Sequence, residues 1–145
     1  MVIRLFLFIL LFYSCSSDYS DIKKINRESL FHGNSSKIWV INKVKKKGVN
    51  YAALKLKDKD VAIFYESKKI LIQPMKTLGT FPSKTGTLEL SDDNKRCEFH
   101  FPNEVWRFTT VEISSKKISL KPMKNSAFFY EMELIPYPES EAIKN

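Results

Sequence analysis

From Lys37 onward, apolar residues recur at every second position in short runs, and this period-two pattern leaves few choices of fold. The plainest run is Arg96 to Phe101, where Cys97, Phe99 and Phe101 alternate with Arg96, Glu98 and His100. Successive side chains of a strand point to opposite faces, so such a run is a strand with one buried and one wet face. Phe128, Tyr130, Met132 and Leu134 alternate with Glu131 and Glu133 in the same way. Other predicted strands run from Ile38 towards Lys45, ending at Gly48, and from Lys69 to Gln73. Tyr51–Lys57 and Val61–Tyr65 are predicted to flank an Asp58-Lys59-Asp60 turn. Thr77–Phe81 is a weaker strand stopped by Pro82, and Thr87–Leu90 leads into the Ser91-Asp92-Asp93-Asn94 turn. The remaining strands are Glu104–Ile113, Lys117–Lys121 (Ile118 and Leu120 inward) and Ala127–Ile135.

One of these strands breaks its own parity. Trp106 and Phe108 share a face, whereas Val111 and Ile113 fall on the other. One extra residue near Thr109-Thr110 returns all four to the interior, which predicts a β-bulge there.

Short strands about ten residues apart, joined mostly by tight turns, predict an all-β antiparallel meander. About eight such strands close into a small barrel and so remove their exposed edges. Two open sheets packed as a sandwich satisfy the same pattern.

The N-terminus has a different character. Arg4 precedes an unbroken apolar run from Leu5 to Tyr13, followed by Ser14 and Cys15. As a helix that run rises only about 14 Å, roughly half a hydrocarbon core, so it does not make an ordinary span. A charged start, a short apolar stretch and a small-residue end form a secretory signal. Its end resembles the lipobox of bacterial lipoproteins, which implies that Cys15 is acylated with palmitate-type chains and becomes the mature N-terminus. Ordinary cleavage with Ser14 and Ser16 as the small pair, and an uncleaved anchor, are the alternatives. The expected organisation is a signal over 1–14, a lipidated N-terminus and polar tether over 15–36, a barrel over 37–138 and a tail over 139–145. Within the tether, Asp21 to Leu30 could form a short helix that is marginal alone.

The chain carries 24 Lys plus Arg against 16 Asp plus Glu, a formal charge of +8. A basic chain invites a nucleic-acid reading, but an exported one whose only arginines are Arg4, Arg27, Arg96 and Arg107 argues against it. The lysines Lys45, Lys46, Lys47, Lys55, Lys57 and Lys59 gather around the first hairpins, beside Tyr51. Acylation of Cys15 leaves Cys97 without an intramolecular partner, and its alternation with Phe99 and Phe101 makes it a small core residue.

Catalytic motifs are absent: there is no phosphate-cradling glycine loop, no GxSxG and no HExxH. Cys97 and His100 form a C-x-x-H, but an odd separation on a strand sends them to opposite faces, so no metal and no cofactor are expected. Glu131 and Glu133 share a face without a cleft to work in. An interior lined by Trp106, Phe108, Phe128 and Tyr130 could hold an apolar ligand, or could be filled by those same rings.

Taken with the signal and Cys15, Trp39 opening the first strand and the strand pair around Asp58 are similar to small lipocalin-like lipoproteins of the Bacteroidota. The strand from Gly86 to the Asn94 turn, the Trp106–Ser114 strand and turn, and a closing strand before a proline extend the likeness over about Lys37 to Pro138. The resemblance implies a small barrel; the signal and the missing catalytic motifs add the expectation of a non-enzymatic role in a bacterial cell envelope, anchored at the outer membrane. Its partners would be the membrane and either an apolar or amphiphilic small molecule inside the barrel or an envelope protein on its Lys-rich outside. An envelope-complex component or an inhibitor or immunity protein fits the latter.

Overall fold

The computed structural model describes residues 27–80 and 84–138. The apolar run and its cleavage region, Cys15, residues 16–26, the stretch 81–83 and the tail 139–145 lie outside the described residues. No helix among the described residues is long and apolar enough to cross a membrane.

Among the described residues, nine antiparallel strands follow one another in chain order: β1 (Ser36–Lys46), β2 (Val49–Asn50), β3 (Asp60–Tyr65), β4 (Lys69–Pro74), β5 (Lys84–Leu90), β6 (Arg96–Phe101), β7 (Glu104–Ile113), β8 (Ile118–Pro122) and β9 (Glu131–Pro136). Each of β3 to β8 pairs with its successor, β1 pairs with β3, and β9 returns to pair with β1. Eight strands thereby close a barrel, with the two-residue β2 a flap folded back on the end of β1. Closure removes the open edges that an eight-strand meander would otherwise expose.

The core is the inward set that the alternation assigns. Trp39 and Ile41 of β1, Ala62 and Phe64 of β3, and Ile70 and Ile72 of β4 meet Leu88, Cys97, Phe99, Phe101, Trp106, Phe108, Ile118, Leu120, Met132 and Leu134. The expected bulge is present: the β7–β8 register shifts between Thr110 and Glu112. It acts differently from expectation, because Val111 is the extra residue and is 67 % exposed. Only Ile113 is returned to the interior, where it packs against the core.

Four further expectations are corrected. Tyr51–Lys57 is not a strand: the Asn50 side-chain oxygen Oδ1 accepts from the Val44 and Ala52 amides and turns the chain away after β2. Residues 51–59 then form a loop with a 3-10 turn at Leu56–Asp58 instead of a hairpin. Thr77–Phe81 is replaced, as far as residue 80, by a 3-10 turn at Met75–Thr77 and a bend with Gly79 at φ +85°. The last strand starts at Glu131, not Ala127, because the buried Ser126 hydroxyl accepts from the Arg107 and Phe128 amides and holds 123–128 against β7. Lastly, residues 27–35 belong to the folded body and not to a tether. Residues 27–32 are helical, and Phe31 is fully buried against Phe64, with its carbonyl accepting the Trp39 indole N–H at 2.7 Å.

The two barrel ends therefore differ. The helical turn at 27–32 stoppers one end beside the β3–β4 turn, where Glu28 and Lys68 approach to 3.6 Å. The other end carries the β1–β2 hairpin, the segments 51–59 and 75–80, the β6–β7 turn and the 123–130 segment.

Candidate functional site: the open end

The sequence-predicted lining residues all fall in one place. Trp106 and Phe108 point inward from β7, and Phe128, in the irregular segment before β9, stacks on Trp106 with ring centroids 4.4 Å apart. Phe128 also lies 6.0 Å from Phe108 and 5.4 Å from Tyr130. These four rings form the outer part of a longer column. Phe31, Phe64 and Phe99 continue it inward with centroid spacings of 5.1 and 5.7 Å, and Phe99 meets Phe108 at 5.4 Å. Tyr51 extends it outward, 5.5 Å from Tyr130. The edge-to-face geometry repeated along it is the one aromatic quadrupoles favour. From stopper to mouth, the barrel axis is thus occupied by the protein's own rings.

What remains open is the mouth. A cleft of about 400 Å³ lies between Ile41, Val44, Tyr51, Asp58, Lys59 and Phe128, where β1 and β3 diverge beyond the Val40–Val61 pair. Lys59 is 8 % exposed and donates to the Asn42 carbonyl at 2.8 Å, so the edge left bare by that divergence is satisfied by a side chain. Across the mouth, Lys84 projects inward from β5 on to Glu104 of β7, with its ammonium 5.4 Å from the Phe101 ring and 5.5 Å from Trp106. The Lys84 contact holds the Glu104 carboxyl below the usual carboxylate range.

The rim is apolar and basic together. Val49, Tyr51, Leu54 and Phe129 are 55, 61, 94 and 60 % exposed, Val49 on β2 and the others on loops of this end. Lys46, Lys47, Lys55 and Lys57 stand exposed among them, and the Lys46 ammonium lies 5.7 Å from the Tyr130 ring. The lysine cluster was legible in the sequence. Leu54 and Phe129 were not, because both sat in segments read as strands.

Other candidates separate as their parity requires. Cys97 is fully buried, and burial raises its thiol well above the ordinary range, so it is an unreactive core group. His100 faces outward, away from Cys97, and meets Glu89 and Glu98 instead. Glu131 and Glu133 are on the outer face. Glu133 accepts from the Asn42 amide at 3.0 Å and pairs with Lys43 at 3.2 Å, across the β1–β9 seam. Cys15 lies outside the described residues. Compared with known proteins, the chain matches no protein family and no curated protein sequence.

Proposed function

We propose that this protein is a lipid-anchored, lipocalin-like barrel of a bacterial cell envelope that acts by docking its open end on a partner protein, without catalysis. The observation that carries the reading is the filled axis combined with the exposed rim. A carrier needs interior volume for its ligand, and here a continuous file of rings takes that volume. Exposed large apolar residues gathered at one end mark an interaction surface. The lysines between them favour an acidic partner face and speed its encounter. An acyl group on Cys15 would be separated by the eleven residues 16–26 from the described body, which begins at Arg27 on its stoppered end. An anchor on that side would leave the rim free to meet aqueous partners.

A second reading rests on the 400 Å³ cleft, which is large enough for a small amphiphile with an anionic group near Lys59. Native mass spectrometry of protein purified from its own membranes separates the two. The docking reading expects a co-purifying protein that is lost in the double variant Leu54→Asp, Phe129→Asp. A co-purifying small mass that survives those changes, with no protein partner, would overturn it in favour of the carrier. The anchor is tested separately: Cys15→Ala should release the protein from the membrane fraction, and unchanged retention and mass would refute acylation.

A further inference from the structure

On the barrel's outer face, far in kind from the aromatic mouth, β5 and β6 bring together three groups that the sequence kept apart. Glu89 pairs directly opposite Glu98, and His100 follows two residues later on the same face. Like charges directly opposite one another weaken a ladder, yet here both carboxylates turn towards one atom. The His100 Nε2 lies 2.9 Å from a Glu98 oxygen and 3.2 Å from a Glu89 oxygen. The other Glu98 oxygen is held by the Arg107 Nε of β7 at 3.5 Å. Neighbouring side chains from β5 and β7 that complete the surroundings are Thr87 and Val105, the cross-strand partners of His100. Nε2 itself is sheltered from solvent, but neither carboxylate is aligned with it to make a hydrogen bond. The ring nitrogen therefore lies buried beside two carboxylate oxygens with a hydrogen bond to neither.

We propose that Glu89, Glu98 and His100 form a surface site for a divalent transition metal, with Zn²⁺ the best fit. The spacing supports a metal. Zinc bonds of 2.0–2.2 Å to nitrogen and oxygen in tetrahedral geometry put neighbouring donors roughly 3.3–3.5 Å apart, a small relaxation from the 2.9 and 3.2 Å contacts. All three donor atoms lie within 4.8 Å of one another. The donor set selects the ion: an imidazole with two carboxylates suits zinc and its neighbours, whereas Ca²⁺ demands six or more oxygens. Two carboxylates and a neutral imidazole also balance the charge of a divalent ion and remove the Glu89–Glu98 repulsion. Three ligands on two paired strands leave at least one coordination position, which water or a donor from a bound partner would take. Arg107 fixes the free oxygen of Glu98 and so orients the ligand, as outer partners of metal ligands do. The competing arrangement is an imidazolium simply bridging two carboxylates, which requires no metal.

Calorimetric titration of the purified full chain with Zn²⁺ at pH 7.5 decides between them. The metal site expects one equivalent bound with a dissociation constant on the order of micromolar, and a raised melting temperature. His100→Ala and, independently, Glu89→Gln should each weaken binding by about tenfold or more. His32→Ala, which removes the other histidine, should leave it unchanged, and Ca²⁺ should not compete. Absence of saturable binding, or full affinity in His100→Ala, would overturn the site. Because both strands fold with outward side chains here, loss of binding in Glu89→Gln with an unaltered circular dichroism spectrum reports a ligand and not a damaged barrel.

Discussion

Gly86 marks where β5 lies tightest against β6. A Cβ added there would run into the His100 carbonyl oxygen and the Phe101 ring, the ring atoms being 2.7 and 3.0 Å away. The carbonyl is main chain and the ring is wedged beside Trp106 at 4.9 Å, so neither yields cheaply. Unlike Gly48, whose φ of +79° serves the β1–β2 hairpin turn, Gly86 is needed for space and not for backbone freedom. Gly86→Ala is therefore expected to cost about 1–3 kcal/mol, as overpacking a dense core does. A urea denaturation midpoint lowered to match, with an unchanged slope, checks it; an unaltered midpoint would mean the strands can part. The position shows how little a single letter discloses: in the sequence Gly86 only opened a strand.

At the scale of the element, the helical turn at 27–32 carries more weight than its length suggests. It seats one fully buried ring, Phe31, on Phe64, and it supplies the acceptor for the Trp39 indole. Phe31→Ala is expected to cost about 3–5 kcal/mol, a large share of the stability of a domain this size. Phe129→Ala, at the exposed rim, should change it by no more than about 0.5 kcal/mol. Comparing the two by thermal unfolding tests whether the stopper is part of the folding unit; equal effects would make it an appendage. Sequence pattern could not have assigned that role, because Phe31 has no periodic neighbours and its partners lie one hairpin away. What was legible were elements whose signal is internal: the alternation of β6, and the parity break that betrayed the bulge of β7. What was not legible depends on a side chain reaching a distant main chain. Asn50 ends β2 in this way, and Ser126 delays β9. The Glu89, Glu98 and His100 cluster lies between these cases. The Ser91–Asn94 turn, used as the centre of a hairpin, sets Glu89 opposite Arg96, on the face that Glu98 and His100 share but two residues out of the observed register, and a reading confined to one strand at a time sees only that Cys97 and His100 diverge.

For the whole molecule, closure and filling are separate sources of stability, and acid should separate them. The seam between β9 and β1 is tied by Glu133, which takes the Asn42 amide and the Lys43 ammonium beside a register shift in β1. Burial alone would raise the Glu133 carboxyl, but those two hydrogen bonds and the charges of Lys43 and Lys117 outweigh it and hold it below the usual range. At the mouth, Glu104 is lowered foremost by Lys84. A carboxylate with a depressed folded pKa contributes stability that is complete above its unfolded value, about 4.3 for Glu, and is lost as pH falls through the folded value. Stability should therefore stay level from neutral pH to about pH 5 and decline below about pH 4.3. The aromatic column contains no titrating group from Phe31 to Phe128 and should persist while the seam loosens. Hydrogen exchange at pH 3.5 is then expected to deprotect the β1–β9 amides before those of Phe64, Phe99 and Phe108. Glu133→Gln, which keeps an acceptor for Asn42 but no charge for Lys43, should flatten the acid limb. Simultaneous loss of protection around the barrel would show instead that the seam and the column fail as one cooperative unit.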